Sequence, residues 1–446
     1  MEIALVLLVL AATVALFVSD KLPSALVAMM VLALLLLVSL VGPFLPGFNP
    51  ARWISVEEGV AGFGNPATVT VAAMFVLSAA LEKTGVLTAL ARLLARLAHS
   101  PTLLLMVMMM AVAGASAFIN NTAAVAVFMP VAVGAAAACR VSPSRLLIPL
   151  SYAAQFGGVC TLIGTSTNLL VSAISERHGS GAFRMFEFTP FGVLLTLTGL
   201  IYLAIGSRWL LPDRPVGVET SAKPADTTQS IAEPAQPQDA PVEKHRIFVE
   251  EARPVLVLGT LFAVVFFAAT GVLPMMVSAL FGCIVLVGTR CLSIEDACAA
   301  IDWKVVFLLA GMLPLGLAME KSGTAALLAD AALAVARPLG PVAVLAMLYL
   351  LAAVLTEFMS NNATAVLLAP LAVAFAKALE IDPRPLLMAV CFAASTSFCT
   401  PVGYQTNAMV QGPGGYRFND YLRIGLPLNI LFFILSVWFI PQFWPF

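Results

Sequence analysis

Residues 118 to 126 read Phe118-Ile119-Asn120-Asn121-Thr122-Ala123-Ala124-Val125-Ala126, and residues 358 to 366 read Phe358-Met359-Ser360-Asn361-Asn362-Ala363-Thr364-Ala365-Val366. The two phrases stand 240 residues apart, and each sets an Asn pair beside a hydroxyl in an apolar stretch. An Asn side chain offers one carbonyl acceptor and two N–H donors. Such a cluster can coordinate a cation through oxygen or hold an anion through nitrogen. If a helix breaks there, freed carbonyls suit a cation and a helix N-terminus suits an anion. Polar groups in apolar surroundings are costly unless partnered. Hydrogen bonding between packed helices is the alternative use, but two copies at one spacing favour a binding site built twice.

A second pair follows. Gly164-Thr165-Ser166-Thr167-Asn168 and Gly403-Tyr404-Gln405-Thr406-Asn407 lie 239 residues apart, and Pro401 precedes the second. These residues make poor helix and good unwound loop. Irregular backbone at membrane depth is tolerated where it lines a cavity; an aqueous loop between helices is the other reading. No Lys or Arg lies in either motif pair, so dipoles, hydroxyls and bound cations would have to hold an anion. Glu357 precedes the second Asn motif, whereas Ala117 stands at the matching place. An ionisable residue within a membrane span is a functional suspect by default. Glu357 is therefore a candidate coupling residue that would carry a proton, tune cation binding or pair with a basic group.

The elements that position these motifs must be membrane helices. The chain has 446 residues, 61% hydrophobic and only 11% charged, against about 25% charged in soluble domains. Its mean hydropathy is +1.00. A net charge of −1 gives no basis for a nucleic-acid partner. No Ser/His/Asp set, metal cluster or acid pair points to an enzyme. The seven cysteines show no C-x-x-C pair and read as small buried hydrophobes, and the three histidines do not cluster. Apolar runs near 2–18, 22–43, 66–82, 101–115, 145–163, 189–211, 254–270, 272–290, 303–319, 341–356, 385–400 and 421–444 predict spans. The first reads as a membrane helix rather than a cleaved signal, because it lacks a basic start and a small-residue cleavage site. Two further runs, 116–139 and 357–380, open at the Asn pairs and carry Pro130 and Pro370.

The segment 213–253 holds five prolines and 13 charged residues and reads as a flexible polar cytoplasmic linker. It divides an N-terminal membrane half, 1–212, from a C-terminal half, 254–446. The halves match beyond the Asn pairs: Glu82-Lys83-Thr84-Gly85 with Glu320-Lys321-Ser322-Gly323, Pro143 with Pro383, Ala153-Ala154 with Ala393-Ala394, and Phe183-Arg184 with Tyr416-Arg417. Such a consistent offset is an internal repeat. Residues 87–99 carry Arg92 and Arg96 on one face of an amphipathic, interface-lying helix, whereas the counterpart over 325–336 carries Asp330 and meets its first basic residue at Arg337. By the positive-inside rule the two helices lie on opposite sides, which predicts an inverted repeat. Lys377 and Arg384 run against that rule.

These residues resemble the divalent anion:sodium symporter family of the ion transporter superfamily. Its hallmark is a Ser-Asn-Thr motif at the tip of a re-entrant hairpin, once per repeat. The copies here are Asn120-Asn121-Thr122 and Ser360-Asn361-Asn362, each departing at one position. The resemblance covers nearly the whole chain outside the linker, which is too short for the cytosolic domains that many prokaryotic members carry there. It implies an all-α polytopic membrane protein with an inverted structural repeat, two re-entrant helical hairpins and about 11 transmembrane helices. It also implies a homodimer in the inner (plasma) membrane, in contact with lipid and working by elevator-type alternating access. The first sodium site would use Ser116, Asn120, Asn121 and Gly164, and the second Thr356, Ser360, Asn361 and Gly403. The anion would meet Asn121, Thr122, Thr165, Asn361, Asn362 and Gln405. Sodium serves as the coupling ion, and no other cofactor is implied. Tyr404 and Gln405 stand where dicarboxylate carriers often have a small residue and a proline. Sulfate or another small oxyanion is thereby as strong an expectation as a dicarboxylate. A proton-coupled or arsenite-type permease is the alternative. A channel lacks a charged ring or filter motif, and a sensor lacks a signalling domain.

Overall fold

The computed structural model describes residues 1–19, 21–85, 89, 101–138, 141–214, 243–328 and 340–446, and its regular elements are all helices. The first half contains α1 (Glu2–Ser19), α2 (Ser24–Val41), α3 (Val56–Val60), α4 (Pro66–Lys83), α5 (Pro101–Ser116), α6 (Asn121–Ala138), α7 (Leu147–Gly158), α8 (Ser166–Arg177) and α9 (Thr189–Leu210). The second contains α10 (Glu243–Thr270), α11 (Met275–Gly288), α12 (Ile294–Ala300), α13 (Trp303–Ser322), α14 (Pro341–Leu355), α15 (Asn361–Leu379), α16 (Arg384–Ala394), α17 (Gln405–Gly414) and α18 (Phe418–Phe443). By length and composition six helices among the described residues are able to cross a bilayer: α2 with the turn after it, α4, α9, α13, α15 and α18. Leu34, Leu37, Ile201, Ile205, Ile430 and Ile434 are exposed on α2, α9 and α18. Apolar faces of this extent suit lipid rather than water. The protein is a multi-pass membrane protein.

The helices sort into two bundles that each draw on both halves. In one, α2 packs along α13, α4 along α11, and α1, α3, α10 and α12 complete the set. In the other, α5 packs on α7, α14 on α16, α9 on α18, α15 on α8 and α17 on α7. The bundles meet where α4 and α13 face α6, α8 and α15.

The repeat is written into the contacts. The Glu-Lys-Thr/Ser-Gly phrases end α4 and α13, with Gly85 and Gly323 at φ 69° and 83° just past the helices; glycine takes this left-handed geometry without a Cβ penalty. Short helices α3 and α12 both start at a serine, where Ser55 accepts from Glu58 N and Ser293 from Asp296 N. This extends the repeat to a pair the sequence comparison missed. The same acids bridge the halves: Lys321 Nζ lies 2.6 Å from Glu58 Oε1, and Lys83 Nζ lies 2.5 Å from Asp296 Oδ2. Each pair is the other with the two halves exchanged. Reciprocal contacts of this kind are the signature of a two-fold relation.

Three expectations shift. The apolar runs 145–163 and 385–400 are not continuous helices, because α7 stops at Gly158 and α16 at Ala394; the hydrogen bonds that hold the non-helical remainder are described below. The polar segment 213–253 is described only at its ends. Arg145 binds Asp213 and Arg214 binds Asp420 at 2.6 and 2.8 Å, and α10 already begins at Glu243. Cys298 is exposed, unlike the buried Cys160, Cys391 and Cys399. Of the two predicted amphipathic helices, 87–99 lies outside the described residues except residue 89, and its counterpart is described only to residue 328.

Candidate substrate and cation site

Each Asn phrase forms the turn of a helical hairpin, α5–α6 in the first half and α14–α15 in the second. Asn120 Oδ1 accepts from Thr122 N at 3.0 Å, and Ser360 Oγ accepts from Ala363 N at 3.3 Å. Both side chains are therefore N-caps that satisfy orphan amides of the helix they start. Ser78 of α4 reaches the first tip across the bundle interface, 3.4 Å from Asn120 N.

The Gly-to-Asn loops connect α7 to α8 and α16 to α17, and their hydrogen bonds repeat. Thr161 Oγ1 donates to Ala117 O and accepts from Gly164 N at 3.1 Å; Thr400 Oγ1 donates to Glu357 O and accepts from Gly403 N, both at 2.9 Å. Asn168 Nδ2 donates to Thr161 O at 2.7 Å, and Asn407 Nδ2 to Thr400 O at 3.1 Å. The Asn carbonyls are held from the opposite half, Asn407 by Ser151 at 2.7 Å and Asn168 by the Cys391 thiol at 3.1 Å. Ser151 and Cys391 are themselves repeat partners, 240 residues apart. Asn168 and Asn407 thus act as staples that satisfy the carbonyls released where the helix breaks.

The hairpin tips and loops enclose a cavity of about 240 Å³ between the two bundles. Asn121, Thr122, Thr165, Asn361, Asn362 and Gln405, the six anion candidates, all line it. The hairpins cross onto each other's loops: Thr122 Oγ1 donates to Gln405 Oε1 at 3.0 Å, while Ser166 and Thr167 donate to Asn362 Oδ1 at 3.0 and 3.1 Å. Four helices, α6, α8, α15 and α17, point their N-termini here, each equivalent to roughly half a positive charge. No Lys or Arg is among the lining residues, and the one charged residue is Asp302. Its carboxylate caps α13 through Lys304 N at 3.0 Å, as Asn65 caps α4 through Ala67 N.

Behind the cavity lie two oxygen clusters. Ser116 and Thr356 are fully buried and do not line the cavity. Ser116 Oγ contacts the Asn121 amide, one end of which also lies 3.3 Å from Gly164 O and 3.2 Å from Ala154 O. In the second copy Thr356 Oγ1 is 3.0 Å from Asn361 Oδ1 and 2.8 Å from Ala394 O. Each cluster joins a hydroxyl, an amide and a carbonyl at the end of a broken helix, a donor set suited to a hard monovalent or divalent cation. Glycine closes the first: a Cβ on Gly158 would stand 2.6 Å from Asn121 Oδ1. A Cβ on Gly403 would press on the loop beside the second, against Ser397 Oγ and the Thr356 backbone carbonyl.

A family profile described as a citrate transporter matches residues 14–386. The chain belongs to the citrate transporter family. An uncharacterized transporter of Synechocystis sp. is 30% identical, with 96% of this chain and 95% of that protein covered. A sodium/sulfate cotransporter of Chlamydomonas reinhardtii is 33% identical over 38% of this chain and 20% of its own length. In fold, the YdaH transporter of Alcanivorax borkumensis superposes with a TM-score of 0.62 at 15% identity, covering 95% of this chain and 99% of its own. This citrate transporter family member is a transporter, not an enzyme.

Two residues stand apart from the repeat in this family member. Glu357 is buried and does not line the cavity. Its Oε1 accepts from Phe398 N, Cys399 N and Asn429 Nδ2, each at 3.0 Å, and its Oε2 accepts from Ser397 Oγ at 3.0 Å. The carboxylate anchors the second loop, with three donors on Oε1 and one on Oε2. Tyr404, the repeat partner of Thr165, extends its phenol across to the Asn121 amide and toward the Thr165 hydroxyl. The sequence marked Tyr404 only as a departure beside the anion candidates; its reach to the other half's oxygen cluster requires the fold.

Proposed function

We propose that the protein is a secondary active transporter that moves a small divalent anion, of the sulfate or dicarboxylate class, coupled to sodium. The observation that carries this reading is the pairing of an anion cavity with two oxygen clusters. The cavity offers neutral donors and four helix N-termini but no cationic side chain. Bringing a dianion out of water there calls for compensating positive charge, and cations bound at the Ser116/Asn121/Gly164 and Thr356/Asn361/Gly403 clusters supply it a few ångströms away. Ala154 and Ala394 carbonyls join the ligand sets, while Asn120 and Ser360 serve as caps.

The hairpins behave as re-entrant elements of an inverted repeat in this reading, and the bundle holding them is the moving part of an elevator. The cavity lies on its boundary with the α4/α13 bundle, so sliding along that face would carry the loaded site from one side to the other. The protein works in the inner membrane as a homodimer. Proton coupling through Glu357 is disfavoured by its role as a loop anchor.

A thermal-shift panel on the purified protein tests the reading. Sulfate, citrate, succinate and arsenite are each added in sodium chloride and in choline chloride at fixed pH. A ligand raises the melting temperature of the state it binds. A dianion is expected to stabilise the protein strongly in sodium and weakly in choline. Equal shifts in both salts would remove sodium from the account.

A further inference from the structure

The two bundles touch unequally in the two halves. On α4, Ser78 Oγ accepts from Asn120 N at 3.4 Å, at the tip of the first hairpin. Its repeat partner on α13 is Gly316, at the 238-residue offset of the Glu82 and Glu320 phrases. Gly316 packs not on the second tip but on Pro370, where an added Cβ would stand 3.3 Å from Cγ. Pro370 lies ten residues along α15 from Ser360, which at about 1.5 Å of rise per residue is roughly 15 Å. The cavity shows the same inequality. Val402 and Phe358 line it and are 66% and 57% exposed, whereas Ile163, the partner of Val402, also lines it and is 5% exposed. In an inverted repeat the two halves trade these positions when the site changes sides. Gly316 then meets Ser360, and Ser78 meets Pro130.

The described state makes contacts that the exchanged one has no residues to repeat. Across the face between the bundles, Glu320 of α13 lies 2.6 Å from Lys377 Nζ of α15 and 3.5 Å from His178 Nε2 at the end of α8. Arg177 Nη1 donates to Leu313 O of α13 at 2.8 Å. A stroke of ten residues takes Glu320 from Lys377 to the level of Leu367 and breaks these contacts. In the other half Glu82 matches Glu320, but Ala137 stands at the place of Lys377. Likewise α17 closes with Gly414 and Gly415 where α8 closes with Arg177 and His178. We propose that Glu320, with Lys377, His178 and Arg177, is a one-sided latch that holds the moving bundle in the state with Val402 exposed. The latch biases the population toward that state and opens in every transport cycle. This inference rests on the elevator motion proposed above.

Thiol modification by N-ethylmaleimide tests it on the purified full-length protein in detergent, where the reagent reaches both sides. Val402→Cys reports the described state and Ile163→Cys the exchanged one, and peptide mass spectrometry separates each site from the native cysteines. Glu320→Gln and Lys377→Gln then remove one charge each from half-exposed side chains. Each is expected to slow modification at 402 relative to 163, changing the ratio of the two rates by about threefold or more, the weight of a half-exposed ion pair. The double variant should match Glu320→Gln, because the two single changes break the same pair. An unchanged ratio in both single variants would overturn the latch. Faster modification at both sites would overturn it too, since that marks a loosened fold rather than a shifted state. With Glu320 and Lys377 intact, Ile163→Cys is expected to react slowly but measurably. No reaction there in sodium chloride or choline chloride, with or without sulfate, would defeat the elevator reading and the latch with it.

Discussion

Gly158→Ala is a one-methyl test of the first cation cluster. Gly158 closes α7 with its backbone against Asn121, and an added Cβ would stand 2.6 Å from Oδ1, 2.7 Å from Nδ2 and 3.1 Å from Cγ of that amide. All three approaches are well inside van der Waals contact, and the group that must give way is the ligand itself. Without a cation, Asn121 can swing aside and relieve the clash. With a cation bound it must return, so the strain falls on the bound state. Overpacking of this size costs about 1–3 kcal/mol, which is roughly five- to hundredfold in sodium affinity at about 1.4 kcal/mol per tenfold. Gly114→Ala and Gly134→Ala are the controls, since a Cβ at either meets nothing within 4 Å. Each should leave sodium binding unchanged and, as helix-interior replacements, gain about 0.5–1 kcal/mol of stability. Sodium titration followed by thermal unfolding reads all three. A Gly158→Ala protein with the wild-type sodium midpoint would refute the placement of Asn121 in a cation site.

Thr122→Ala removes the hydroxyl that spans to Gln405 and should weaken anion binding by about 0.5–1.5 kcal/mol, roughly two- to tenfold in KM, with sodium stabilisation intact. Glu357→Gln keeps an oxygen for the loop amides and should preserve the pH profile of transport, whereas Glu357→Ala strands several buried donors at about 1–3 kcal/mol each and should lower the melting temperature sharply. The Lys321 hydrogen bond holds the Glu58 carboxyl below its ordinary range, and Lys83 does the same for Asp296. A carboxyl whose pKa is depressed by folding stabilises the protein above its unfolded value, about 4, and loses that contribution as pH falls through the depressed value. Lys321→Met should therefore flatten the acid limb of the stability profile below about pH 4 while costing under about 1 kcal/mol at neutral pH, because the pair is half exposed; an unchanged acid limb would remove Glu58 from it.

Hydropathy made the long helices legible, because a span needs an unbroken apolar run. The repeat was legible from offsets such as Asn121 with Asn361 and Gly164 with Gly403. Hydropathy did not show that α7 and α16 stop early, because Cys160, Leu162, Phe398 and Cys399 are as apolar in a loop as in a helix. Those loops exist because Thr161, Thr400, Asn168 and Asn407 satisfy their backbone, a matter of direction rather than composition. Asn168 and Asn407 were visible as a repeated loop end, but their stapling role depends on Ser151 and Cys391 from the opposite half. Glu357 shows the reverse problem. A lone acid in an apolar stretch suggests chemistry, and only the amides of Phe398 and Cys399 reveal an anchor.

The central claim is that bound sodium supplies the charge that lets a cavity without a cationic side chain hold a dianion. Uptake of radiolabelled sulfate and citrate into proteoliposomes tests it most directly, with an inward sodium gradient or an equal choline gradient at constant pH. The account predicts concentrative uptake of a dianion in sodium and near-background uptake in choline. Equal uptake under both gradients would contradict it.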